Sequence, residues 1–91
     1  MTKIEIYTKE YCPYCEAAKS LLRAKGVDYL EKSLTESPEL REEMMRRANG
    51  RHTVPQIFVD DIALGGFDDI ALLDEQGKLD QLLAHHQDAL V

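Results

Sequence analysis

The sequence predicts an α/β domain with a mixed sheet, and three observations carry that prediction. An alternating segment, Lys3 to Thr8, is followed by a helical pattern and then by a second β-like run, Val27 to Lys32. Two strands joined through a helix are expected to run parallel, with a right-handed crossover. Further on, Gln56 to Val59 and Ile62 to Leu64 are separated only by Asp60-Asp61, a spacing that reads as an antiparallel hairpin. Finally, 91 residues are one domain, residues 1–91, and an apolar fraction of 44% suffices for a core without staples.

The elements follow in order. Lys3-Ile4-Glu5-Ile6-Tyr7-Thr8 alternates, which predicts a strand with one polar face; Glu5 fits poorly if that strand is central. Residues 13–25 form the first helix, with Ala17, Ala18, Leu21 and Leu22 as a narrow apolar stripe and Gly26 as its stop. Ser37-Pro38 predicts a helix start, a capping hydroxyl followed by proline at the first position. Leu40, Met44 and Ala48 give that helix one packed face, and Asn49-Gly50 ends it. After the hairpin, Gly65-Gly66 breaks the strand and Asp68 and Asp69 open a third helix, where their charge suits the positive helix end. Gly77 separates it from a last helix carrying Leu79, Leu82, Leu83 and His86, and Gln87 to Val91 are expected to fray. The order is β-α-β-α-β-β-α with a closing helix.

Composition narrows the function. A formal net charge of −6 argues against nucleic acid as the main partner. No apolar run is long enough to span a bilayer, and no signal-like apolar region follows Met1-Thr2-Lys3, so a cytoplasmic protein is expected. Local positive charge exists nonetheless: Lys9 precedes Cys12 by three residues, and Arg41, Arg46, Arg47 and Arg51 fall close together. Either these arginines attract a small anion, or they pair with Glu39, Glu42 and Glu43 on a solvated helix face.

The chemistry centres on Cys12-Pro13-Tyr14-Cys15, which holds both cysteines of the chain. So small a loop constrains an unfolded chain little, so in a reducing compartment the pair is catalytic or metal-binding rather than structural. Cys12 falls where the first helix begins. Unpaired N–H groups there, Pro13 as the first helical residue and Lys9 nearby all favour its thiolate, the form that attacks. Cys15, one turn inside, is the better resolving thiol. A zinc site would need two more ligands, and only His52, His85 and His86 remain, none in a suitable pattern. Surface roles suffice for all three.

Two other stretches stand out. Val54-Pro55 precedes a strand; a plain strand start explains it, whereas a cis bond would turn the backbone toward the cysteines. In Gly65-Gly66-Phe67-Asp68-Asp69 a simple strand-to-helix turn suffices. The same stretch also suits a group with both charges, with N–H groups for a carboxylate and an Asp for an ammonium.

Tyr7-Thr8-Lys9 before Cys12 to Cys15, then Thr53 to Val59, then Gly65 to Asp69 closely resemble the glutaredoxins, in particular the bacterial dithiol (CPYC) glutaredoxin 3 type, from about Lys3 to Leu83. The resemblance implies a thioredoxin-like fold, a four-stranded mixed sheet flanked by helices, with the first strand inside the sheet. It implies a cis bond at Pro55, Cys12 as nucleophile and Cys15 as resolving cysteine. The substrates would be glutathione and glutathionylated or disulfide-bonded proteins, handled by a monomer without metal. Lys9 and Tyr14 would contact glutathione near its glycine end and sulfur, Thr53 and Val54 its cysteinyl backbone. Phe67, Asp68 and Asp69 would hold the γ-glutamyl end, and Arg41 the glycine carboxylate, with Arg51 as its rival. Phe67 departs from the small residues frequent at its position. Two other readings compete: a redoxin served by thioredoxin reductase, and an iron–sulfur carrier using Cys12 and glutathione as ligands.

Overall fold

The structure is a computed structural model that describes residues 2–83. The expectations for His85, His86 and residues 87–91 lie outside the described residues. The described residues form four strands and four helices in the order β1 (Ile4–Thr8), α1 (Pro13–Ala24), β2 (Leu30–Ser33), α2 (Leu40–Arg47), β3 (Gln56–Val59), β4 (Ile62–Gly65), α3 (Phe67–Glu75) and α4 (Leu79–Leu83). The sheet order is β2-β1-β3-β4. β1 and β2 are parallel, with Tyr7 opposite Lys32, whereas β1–β3 and β3–β4 are antiparallel. This is the four-stranded mixed sheet with flanking helices of a thioredoxin-like fold.

The hairpin is as expected. Asp60 and Asp61 have φ of 50° and 70°. Positive φ at both central residues is the turn that matches strand twist, and aspartate tolerates it better than most residues. Two other elements are displaced. The second strand begins at Leu30 rather than Val27, because pairing with β1 starts at Glu5–Leu30; Val27 and Tyr29 instead pack beside the core from the preceding loop. The second helix begins at Leu40. Ser37 and Pro38 form a tighter turn before it, their carbonyls accepting from the N–H of Leu40 and Arg41, and Glu39 at the cap makes no side-chain capping bond.

The polar face expected of the first strand is a correction. β1 is buried along its whole length. Its alternation is real, but both faces are covered. Ile4 and Ile6 join Ala18, Leu22, Ile57, Val59, Ile70, Leu79 and Leu83 in one core, beneath α1, α3 and α4. Tyr7 turns to the other face, with Leu34, Met44, Ala48 and Phe58 beneath α2. Glu5 shares that second face and is 3% exposed. It is accommodated by charge. Arg47 donates to both its carboxylate oxygens, at 2.8 and 3.2 Å, and Lys32 lies 3.1 Å away. Arg47 also donates to Tyr7 Oη at 2.8 Å, pairs with Asp61 at 3.0 Å and sits 4.2 Å over the Phe58 ring. Tyr7 Oη in turn donates to Glu43, which pairs with Lys32 at 2.9 Å. Arg47 therefore does not join a solvated row of helix charges; it reaches into the sheet.

The Arg47 hydrogen bonds, with those of Lys32, outweigh the cost of burial and hold the Glu5 carboxyl down at about 2, from an ordinary 4.5. A depressed carboxyl contributes stability that is fully present above about pH 4.5 and is lost as pH falls through about 2. The contribution is roughly 3 kcal/mol at neutral pH. Glu5→Gln is therefore expected to flatten the decline in urea-unfolding free energy between pH 4.5 and 2; an unchanged slope in that window would contradict the assignment.

Candidate functional site

The cysteine pair lies at the junction of β1 and α1. Cys12 is the N-cap, with extended backbone, and Pro13 is the first helical residue. Its Sγ accepts a hydrogen bond from the N–H of Cys15 at 3.1 Å, and its carbonyl accepts from Glu16 at 3.1 Å. Cys12 and Cys15 are joined as a disulfide, with Cα atoms 5.2 Å apart. Of the two, Cys12 keeps 8% of its surface and Cys15 none. An incoming group therefore reaches Cys12 first, and the Cys15 N–H together with the helix end stabilises negative charge on its sulfur.

The Val54–Pro55 bond is cis, and the Val54 carbonyl oxygen lies 3.9 Å from Cys12 Sγ. Beside it opens a cleft of about 310 Å³ lined by Tyr14, Arg51, Thr53, Val54, Pro55, Gly66, Phe67, Asp68 and Asp69. The structure thus gathers seven of the sequence-predicted residues, together with Arg51, around one depression next to the disulfide. Tyr14 and Phe67 face each other there with ring centroids 6.2 Å apart. Phe67 also packs against the core beneath α1, so its bulk is partly structural.

At the far end of the cleft, α3 starts directly after Gly66. The Asp69 carboxylate accepts from the Gly66 N–H at 2.8 Å and pairs with Arg51 at 3.2 Å. With Asp69 engaged in this way, exposed Asp68 is the acidic side chain free to meet an ammonium, and the first-turn N–H groups of α3 suit a carboxylate. Gly65 is tightly constrained: its φ is +102°, and a Cβ there would overlap the Asp69 carboxylate. Gly65→Ala is expected to cost roughly 1–3 kcal/mol of stability and to weaken ligand binding in the cleft, read by thermal unfolding and by titration calorimetry.

Two predicted residues stand apart. Lys9 lines a separate, larger cavity of about 680 Å³, with Thr8, Glu10, Glu16, Lys19, Glu31 and others. Arg41 donates to the His52 carbonyl at 2.6 Å; it braces the segment before Thr53 and does not line the cleft. Arg51, its rival, does. Gln56, which the sequence places only as the start of a strand, is fully buried and donates through Nε2 to Thr53 Oγ1 at 3.3 Å. Its place directly after Pro55 was the available signal. Among the described residues, no group of three or more His, Cys, Asp or Glu is arranged to hold a metal ion.

Known proteins are similar to this chain in sequence and in fold. A family model described as glutaredoxin matches residues 4–62. The chain is 53% identical over 83 residues to glutaredoxin 3 of Escherichia coli K12, spanning 91% of this chain and 99% of that protein. It is 49% identical over 84 residues to a glutaredoxin of Pseudomonas aeruginosa, spanning 92% of this chain and 99% of the relative. Among solved structures, a glutaredoxin from Brucella melitensis superposes with a TM-score of 0.78 at 48% identity, over 91% of this chain and 89% of that one. A buckwheat glutaredoxin–glutathione complex superposes at 0.82 with 25% identity, over 92% of this chain and 78% of that one.

Proposed function

This chain belongs to the glutaredoxin family, and from that membership we propose how its own residues carry out glutathione-dependent thiol–disulfide exchange. The observation that carries the proposal is Cys12 itself. It is a helix N-cap sulfur, hydrogen-bonded by the Cys15 N–H, reached first from outside, and beside a cleft with both a cation and acidic groups.

In the monothiol route the Cys12 thiolate attacks the glutathionyl sulfur of a mixed disulfide. A Cys12–glutathione disulfide forms and the substrate sulfur leaves as a thiolate, which takes a proton from water. A second glutathione thiolate then attacks the bound glutathionyl sulfur, giving oxidised glutathione and free Cys12. In the dithiol route Cys12 forms a mixed disulfide with a protein, and the Cys15 thiolate attacks Cys12 Sγ. This releases the reduced protein and leaves the Cys12–Cys15 disulfide seen here; two glutathione molecules reduce it again.

For the ligand, Thr53 and Val54 pair with the cysteinyl backbone, Tyr14 and Pro55 flank its sulfur, and the first turn of α3 at Phe67 and Asp68 takes the γ-glutamyl end. Asp69 supports that turn. Arg51 and, at longer range, Lys9 supply positive potential for the carboxylates, with Arg41 bracing the segment. The protein works as a monomer in the cytoplasm on glutathionylated and disulfide-bonded proteins, and requires no metal. No helix among the described residues is long and apolar enough to cross a membrane.

Coupled assays on one glutathione mixed disulfide test the electron source. Turnover is expected with glutathione and glutathione reductase and not with thioredoxin reductase alone. Activity with thioredoxin reductase only would overturn the proposal.

A further inference from the structure

We infer that Tyr11 is a docking residue for the polypeptide half of a glutathionylated substrate, the half that leaves as Cys12 takes the glutathionyl half held in the cleft. The inference rests on the exchange reaction proposed above. Three observations at one residue carry it. Tyr11 is 95% exposed, the highest exposure among the large apolar side chains that stand out on this surface. Its φ is +57°, a conformation that glycine adopts freely and a bulky side chain does not. It is bonded directly to Cys12, where the exchange takes place. Among the described residues the ring packs into neither core, so core packing gives no reason for an aromatic on that backbone.

The surroundings say which half of the substrate meets it. During exchange Cys12 Sγ bonds to the glutathionyl sulfur, and the leaving sulfur lies in line beyond it, so the two halves of the substrate fall on different sides of the site. One bank of Cys12 is the 310 Å³ cleft, with the Val54 carbonyl 3.9 Å from the sulfur. The other is the loop Lys9-Glu10-Tyr11, which is tied down by the Glu10 N–H donating to Thr35 Oγ1 at 2.9 Å. Lys9 and Glu10 line the larger, 680 Å³ groove, whose walls carry both signs of charge on Glu16, Lys19, Glu31 and Lys32. A glutathionyl group suits the small cleft. The leaving half then exits over Tyr11 toward the larger groove, whose size and mixed charge suit an extended polypeptide. An apolar or aromatic residue next to the substrate cysteine would rest on the exposed ring.

The test compares two substrates of one chemistry: a glutathionylated peptide with an aromatic residue beside its cysteine, and the mixed disulfide of glutathione with 2-mercaptoethanol. Tyr11→Gly is expected to lower kcat/KM for the peptide by roughly 3- to 10-fold, the worth of one aromatic contact. It should leave the small disulfide unchanged and not reduce thermal stability, since glycine relieves the φ constraint. Tyr11→Phe should behave as the wild type on both. Should the glycine variant fail to fold, Tyr11→Asn, which tolerates positive φ, serves in its place. An unchanged ratio of the two kcat/KM values, whether both fall or neither does, overturns the role of Tyr11. Wild-type inactivity on both substrates would instead overturn the exchange reaction itself.

Discussion

Replacing Cys15 by serine is expected to leave reduction of glutathione mixed disulfides nearly intact while abolishing reduction of protein disulfides. Replacing Cys12 by serine is expected to abolish both. The split follows from the local geometry. The hydrogen bond to Cys12 Sγ comes from the backbone N–H of residue 15, which serine retains, and the helix end is unchanged. The residue 15 side chain is fully buried, so its only chemical task is to attack Cys12 from within. A serine hydroxyl is too poor a nucleophile and leaving group for that. Stopped-flow or coupled assays on one mixed disulfide and one protein disulfide measure the two routes separately. Equal loss of both in Cys15→Ser would contradict the assignment of Cys12 as a self-sufficient nucleophile.

The second large effect concerns stability. Arg47→Ala is expected to lower the unfolding free energy by about 3–5 kcal/mol, a large part of what a domain of this size possesses. The loss is severe because Arg47 faces four partners at once: the Glu5 carboxylate, Tyr7 Oη, the Asp61 carboxylate and the Phe58 ring. Without it, Glu5 remains buried with Lys32 as its main cation, at 3.1 Å. Adding Glu5→Gln to Arg47→Ala should recover part of the loss, because the orphaned charge is gone, and a double-mutant cycle by urea denaturation gives the coupling. A loss below about 1 kcal/mol for Arg47→Ala would place the pair among ordinary surface ion pairs.

This network marks the boundary of what could be read in the chain. The hairpin, the first helix and the cysteine pair are local. Asp60-Asp61, Gly26 and Pro13 act on their immediate neighbours, and the structure follows them. Glu5 is different. Its burial depends on Arg47 and Lys32, 42 and 27 positions away, and on α2 covering a face that alternation alone assigns to solvent. Arg47 is equally hidden, since beside Glu39, Glu42 and Glu43 it reads as part of a helix surface pairing with itself or as one of four arginines open to an anion. The start of β2 was set by its register with β1 rather than by the apolar residues Val27 and Tyr29.

The site was more legible than the sheet. Tyr14, Thr53 to Pro55 and Phe67 to Asp69 lie far apart in the chain yet line one cleft. The resemblance to a family grouped them; periodicity could not have. Where the grouping frayed, long flexible side chains were responsible. Lys9 reaches the larger groove, and Arg41 turns to the His52 carbonyl, leaving Arg51 as the cleft cation. Gln56 follows Pro55 directly, but its bond to Thr53 Oγ1 emerges only in the structure.

On the proposed mechanism Cys12 takes the glutathionyl half of a substrate, with that half seated in the cleft beside it. Intact mass spectrometry tests this most directly. Reduced Cys15→Ser chain, mixed with a glutathionylated peptide and quenched with acid, should carry one glutathionyl group on Cys12, with the free peptide thiol released, and excess glutathione should remove it. A chain carrying the peptide instead of glutathione, or carrying no adduct, would contradict the claim.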